Sequence, residues 1–149
     1  MTNDNYTRSN QIRHQITTIP QHLKELYKQY RELNTITEIH LQKLSDNICK
    51  AFNINKIRVI FSGRQPHKCS GKRLKNKTMG VYTFCSITQN IQIYKLTAKR
   101  QQIVTPKTAI DTLLHEVNHH IDNMKYELKT IHCSGFYHRI SQLKELLSK

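Results

Sequence analysis

His115 and His119 stand four residues apart, with Glu116 directly after the first, in the run Leu113-Leu-His-Glu-Val-Asn-His-His120. On a helix, residues i and i+4 lie one turn apart on the same face, so both imidazoles can reach one ion. The carboxylate after the first histidine projects beside that face, within reach of a metal-bound water. Zinc brings the pKa of such a water toward about 7, and a neighbouring carboxylate can then take its proton. The spacing therefore points to metal-assisted hydrolysis, with Glu116 as general base.

A tetrahedral catalytic site needs a third protein ligand and one open position. The downstream candidates are His120, Asp122, His132, His138 and Glu145. His120 and Asp122 share the helix and are better placed to hydrogen-bond the ligands than to join them. Glu145 falls opposite the apolar stripe of the last helix, and His138 is mid-helix, one turn from His132. His132 just precedes that helix, where a loop residue can turn back toward the motif. Tyr126, Tyr137 and His138 are the candidates for stabilising a developing oxyanion.

The elements that must hold these residues follow from hydrophobic periodicity. Thr105-Pro106 opens a helix, with Thr105 as cap and Pro106 at the first helical position. Ile110, Leu113, Leu114, Val117, Ile121, Met124 and Leu128 form one apolar stripe, extending the helix over 105–128 and turning the two histidines away from its main core contact. A final helix over about 134–147 buries Phe136, Ile140, Leu143 and Leu147.

Upstream, Leu23, Leu26, Tyr27 and Tyr30 mark a helix beginning near Pro20, and Ile39, Leu41, Leu44, Ile48 and Ala51 mark another from about Thr37 to Phe52. Period-two runs at 57–61, 81–87 and 91–96 read as strands, the last two joined by a turn at Thr88-Gln-Asn90. Residues 1–15 are polar and aperiodic, and are expected to form a loose tail ahead of a single domain over 16–149. The order of two helices, three strands and two helices specifies an α+β domain with a small, mainly antiparallel sheet. The strand at 91–96 is the expected edge against which an extended peptide substrate would pair.

Of the net charge of +14, residues 56–106 carry +11, with 11 basic and no acidic side chains. A single-sign field of that size attracts polyanions, DNA among them. Its centre is the stretch from Gly63 to Met79, expected to be a basic loop whose Arg64, Lys68, Lys72, Arg73, Lys75 and Lys77 could hold phosphates. Tyr82, Phe84 and Tyr94 are expected in the core rather than as base-stacking platforms. The four cysteines, Cys49, Cys69, Cys85 and Cys133, form no C-x-x-C pair and are expected to be reduced thiols. A second metal site at His67 and Cys69 would need partners from elsewhere. No membrane span or signal peptide is visible, so an intracellular, cytoplasmic location is expected.

The run 113–120, followed by His132-Cys-Ser-Gly-Phe136, resembles the SprT-like zincin metallopeptidases. Their pattern is an H-E-x-x-H helix, then a histidine with an aromatic residue four positions later opening a second helix. The resemblance spans about 56–149 and is most specific over 112–140. Cys133 stands where the family usually has glycine. With no C-x-x-C pair, the likeness is to a short form lacking the C-terminal zinc ribbon of bacterial SprT proteins. The resemblance implies a zincin-like minimal metallopeptidase domain and one Zn2+ on His115, His119 and His132, with Glu116 catalytic. It also implies action on proteins, and for well-known members such as Spartan, on proteins bound to DNA. A non-catalytic basic domain with a zinc ion, binding DNA, is the alternative.

Overall fold

The computed structural model describes residues 4–70, 73–84 and 89–149, with the backbone alone at 67–70 and 73–76. Its elements are α1 (Asp4–Gln11), α2 (Gln21–Arg31), α3 (Glu38–Ala51), β1 (Arg58–Phe61), β2 (His67–Ser70), β3 (Arg73–Lys77), β4 (Gly80–Phe84), β5 (Gln89–Ile93), α4 (Pro106–Tyr126) and α5 (Ser134–Ser148). The α+β class is as the periodicity indicates.

Local signals account for the helix starts. The Thr37 hydroxyl accepts from the His40 backbone N–H, while His40 Nδ1 accepts from the Thr37 N–H, a reciprocal cap. Thr105 accepts from the Thr108 N–H ahead of Pro106, as its type and position require. The buried faces of α2, α3 and α4 join β1 and β5 in one core that includes Leu23, Leu44, Val59, Ile91, Ile110 and Leu113. Ile39 departs from the expected pattern: it lies 79% exposed, one position off the buried face that Leu41 and Leu44 define.

The sheet corrects two expectations. Its order is β1-β5-β4, with β1 and β5 parallel and β5 and β4 antiparallel. It is therefore mixed rather than mainly antiparallel: β5 returns beside β1 in the same direction, and β4 takes the outer place against β5. The strand expected at the edge, β5, is central, and the edges are β1 and β4. Gly63 to Met79 is also not a plain loop. It contains β2 and β3, an antiparallel pair with an irregularity between Lys68 and Cys69. The segment lacks apolar alternation, so only its backbone pairing marks it as a hairpin. The turn expected at Thr88 falls partly outside the described residues. Among the other expected core aromatics, Phe84 is 50% exposed.

One edge is closed by side chains. Gln42 Oε1 accepts from the Val59 N–H at 2.7 Å and Gln42 Nε2 donates to the Ile57 carbonyl at 2.8 Å, as a neighbouring peptide would. Glu38 accepts from the Phe61 N–H at 2.8 Å. These contacts from α3 satisfy the outer backbone of β1 and blunt it as a pairing edge, leaving β4 as the open edge of the sheet among the described residues.

The amino-terminal stretch is not a tail. Residues 4–11 form α1 against α5, and His14 is buried between the helices. Polar contacts hold it, which is why apolar periodicity gave no sign of it. Gly135 makes the approach feasible: a Cβ there would sit 2.1 Å from the Ser9 carbonyl oxygen. His14 Nε2 meets Asn118 Oδ1 at 2.9 Å and Nδ1 meets the Tyr126 hydroxyl at 2.8 Å.

Burial is the main cause that lowers the His14 pKa to about 4, with Arg139 and Lys125 adding to it and Asn118 opposing it. Between its ordinary value near 6.5 and about 4, the unfolded chain binds more protons than the folded one, so this residue's contribution to stability falls as pH falls through that window. In His14→Gln, the loss of unfolding free energy between pH 6.5 and 4.5, measured by urea titration, should shrink by about 2 kcal/mol relative to wild type. An unchanged loss would remove His14 as a source of acid sensitivity.

Candidate metal centre

Helix α4 carries His115 and His119 on one face, and its end directs the chain toward the third histidine. The helix stops at Glu127, which adopts a left-handed conformation (φ 54°, ψ 37°), and the Leu128 N–H caps the Asp122 carbonyl at 3.0 Å. That reversal buries Leu128 and sends 129–133 back along α4 to the start of α5.

Nε2 of His132 then lies 3.2 Å from Nε2 of His115 and 3.0 Å from Nε2 of His119. All three ligand atoms fall within 4.8 Å of one another. For metal–nitrogen bonds of about 2.0–2.1 Å, the edge of a tetrahedron is about 3.3–3.4 Å, close to these separations. Burial holds His115 to a pKa of about 4, with His132 and Lys144 adding to it. It holds His119 to about 3, with His115, His132 and Arg139 adding. Both rings are therefore neutral at ordinary pH, and their lone pairs converge. A single proton on His132 can bridge one of the two contacts, whereas a cation satisfies all three nitrogens. The donor set thus fits a metal ion.

The ring of His119 is positioned by stacking. It lies 4.1 Å from the Phe136 ring at 15° and 6.3 Å from the Tyr82 ring at 20°. Its Nδ1 is buried without a hydrogen-bond partner among the described residues, so these rings take the orienting role that a hydrogen bond commonly has at a metal-binding histidine. The sequence placed His119 on a face turned from the core; the structure buries it at 3% exposure because α5 packs there. His115 is half-buried and His132 exposed, so the cluster opens to solvent on one side.

Glu116 Oε1 lies 3.8 Å from His115 Nε2. Burial raises the Glu116 carboxyl to about 7, and the backbone N–H of Tyr82, donated to it, acts in the opposite direction. Tyr82 is on β4, so the free strand edge and the carboxylate are joined directly. The Tyr94 N–H donates to Met79 O at 3.1 Å, which fixes 79 and 94 as a hydrogen-bonded pair. With 81 opposite 92, the alternation of an antiparallel ladder turns the backbone of Gly80 and Tyr82 outward. Gly80 allows α4 to sit this close: a Cβ there would lie 2.6 Å from Thr112 Cγ2 and 3.4 Å from Glu116 Cγ. Between this edge and α4 runs a cleft of about 420 Å³ lined by Lys77, Met79, Gly80, Thr112, His115, Glu116 and His132.

The remaining candidates separate. Tyr137 is 49% exposed, with its ring 6.2 Å from that of His115 and 6.3 Å from that of His132. Tyr126 is held on His14 and backs Asn118 instead. His138 is exposed and makes no contact with the three histidines among the described residues. Glu145 is exposed and paired with Lys149. Asp122 is buried on Arg139, not on a ligand histidine. His120 Nδ1 meets the Tyr82 hydroxyl at 3.2 Å and its Nε2 donates to the Asn55 carbonyl at 2.8 Å, so it braces Tyr82. Sequence reasoning passed over Gly80 and assigned Tyr82 to the core. Only the sheet order brings them to Glu116.

Of the basic residues, Lys77 is exposed at the cleft, and Arg64 is exposed with its Nε donating to the Ala98 carbonyl. Lys72 and the side chains of Lys68, Arg73 and Lys75 lie outside the described residues, as do Cys85 and the side chains of His67 and Cys69. Cys49 and Cys133 are free thiols, both buried. Among the described residues, no helix is long and apolar enough to cross a membrane.

Compared with protein-family models, with curated proteins and with solved structures, the chain matches none of them.

Elemental analysis of the purified protein should find one divalent metal per chain, and His132→Ala should lose it or bind it at least about tenfold more weakly. Full metal content in that variant, at unchanged affinity, would remove His132 from the ligand set.

Proposed function

We propose that the protein is a zinc-dependent endopeptidase of the SprT-like zincin kind, with His115, His119 and His132 as ligands and Glu116 as general base. The observation that carries the reading is the position of Glu116: 3.8 Å from a ligand nitrogen, beside the cleft, and held by the backbone of the free strand edge. A purely structural metal site has no use for such a carboxylate. It would also be expected to close around the ion with four protein ligands, whereas three histidines with an open side suit a catalytic one. Three imidazoles with an open fourth position and a carboxylate alongside suit a catalytic zinc. Bound there, zinc supplies Lewis acidity toward a water and toward the scissile carbonyl.

The chain's own residues do the rest. An extended peptide pairs with the outward backbone of β4 at Gly80 and at the Tyr82 carbonyl, the Tyr82 N–H being held by Glu116, which aligns the scissile carbonyl with the cleft. Glu116 takes a proton from the attacking water and delivers it to the leaving amine. Its place beside the ligand His115 and the cleft lets the same carboxylate serve both transfers. Tyr137, whose ring lies beside two of the ligand rings, is the hydroxyl best placed to stabilise the developing oxyanion. The +11 charge of 56–106, with Lys77 at the cleft, supports substrates that are themselves bound to a polyanion such as DNA.

Hydrolysis of fluorescein-labelled casein by the zinc-loaded protein, with and without DNA, tests the reading. Glu116→Gln should keep the metal and lose about 10²- to 10⁴-fold in turnover. Metal binding without any turnover in wild type, under both conditions, would leave a non-catalytic basic metal protein as the better reading.

Gly80→Ala gives a second check. The added methyl must displace Thr112 or β4 and with it the Glu116–Tyr82 contact, so turnover should fall by at least about tenfold while metal content holds. Wild-type turnover in Gly80→Ala would show that the close approach of α4 to β4 is dispensable.

A further inference from the structure

His132 is the exposed member of the ligand set, and it sits on a connection with no regular structure of its own between α4 and α5. What holds that connection is α1. Asn5 Oδ1 accepts from the Lys129 N–H at 2.8 Å, and Asn5 Nδ2 donates to the Lys129 carbonyl at 3.4 Å. Arg8 donates to the Tyr126 carbonyl at 2.9 Å, just before the reversal. Ser9 Oγ meets Cys133 Sγ at 3.0 Å, directly after the ligand. Asn10 Oδ1 accepts from the Ser134 hydroxyl at 3.0 Å and from the Gly135 N–H at 2.9 Å.

Apart from the helix caps and the ring contacts of His132 itself, the hydrogen bonds from 127–135 to other elements end on α1 among the described residues. The attachment is almost wholly polar: Ser9 is the one buried residue of α1. Ser9 is the anchor, its carbonyl and hydroxyl taking N–H groups of the buried Arg139 guanidinium, and Asn5 and Asn10 reach the connection from either side of it.

We infer that α1 is a brace that sets the metal affinity of the site. Its hydrogen bonds on both sides of His132 present Nε2 to the other two nitrogens. Without the Asn5 and Asn10 bonds, 129–135 keeps the burial of Leu128 and Cys133 but loses the polar ties that fix where His132 stands. A change in α1 would then lower metal affinity without touching a ligand. The inference rests on the metal reading of the site and not on peptide hydrolysis.

The test uses the full chain carrying Asn5→Ala and Asn10→Ala together. Zinc affinity is read by competition with a chromophoric chelator at fixed pH and salt. Gln42→Ala, which removes hydrogen bonds between α3 and β1, serves as the control for general destabilisation. The double variant should bind zinc about 10- to 100-fold more weakly, with the control unchanged. Unchanged affinity in the double variant, or an equal loss in Gln42→Ala, overturns the brace. If circular dichroism shows the double variant unfolded, Asn5→Ala alone decides: weaker zinc binding supports the brace and wild-type affinity overturns it. Wild type that binds no zinc would instead overturn the reading of the site itself.

Discussion

The buried guanidinium of Arg139 is the interaction on which the rest of the structure depends. Two of its N–H groups reach the Asp122 carboxylate at 2.8 Å each, and the others reach the carbonyls of Ser9 and Ile12 and the Ser9 hydroxyl. All five donors are thereby used, as a fully buried arginine requires. Because the partners come from α4 and from the amino-terminal stretch, one side chain on α5 fixes three segments together. Removing either member of such a buried pair typically costs about 3–5 kcal/mol, since the other is left charged and unpaired.

The geometry of the histidine cluster follows from that pairing by helical repeat. Asp122 lies three residues beyond His119 on α4, and Arg139 lies three beyond Phe136 on α5. Residues three apart share a helix face. Locking Asp122 to Arg139 therefore also sets Phe136 on His119, where the rings stack at 4.1 Å. The connection between the two helices must then turn back on itself, and the turn carries His132 to the other two nitrogens. A polar clamp thus holds the ligands rigid on one side of α4, while the apolar stripe of Ile110, Leu113, Leu114 and Val117 anchors the other.

The sheet contributes in a complementary way. Gln42 and Glu38 complete β1 from outside, and β5 is paired on both edges, so among the described residues the sheet's open edge is β4. That edge runs beside Glu116 and donates Tyr82's N–H to it. Strand edge, carboxylate and histidine cluster are therefore one connected surface, which is the arrangement that bound-peptide chemistry would need.

The sequence by itself determined the helices, because caps and apolar periodicity are local: Thr105-Pro106 and the stripe of α4 announce that helix, and the i, i+4 spacing places His115 and His119 on one face with Glu116 beside them. It also announced the α+β class and left five candidates for a third ligand, among which His132 stood out by its place before the last helix and by the resemblance to the SprT-like pattern. It did not determine strand order, which is a matter of non-local pairing. The exposed edge was therefore assigned to 91–96 when it belongs to Gly80–Phe84, and Gly80 and Tyr82 went unnoticed. Nor did it show that Asp4–His14 is docked, because the contacts holding that stretch are hydrogen bonds to residues more than a hundred positions away, and such bonds leave no periodic trace. Tertiary structure alone decided which of three candidate hydroxyl and imidazole groups stands near the cluster. Tyr126 is drawn off to His14 and His138 faces solvent, so Tyr137 remains, since burial and orientation depend on what packs against a helix and not only on its own sequence.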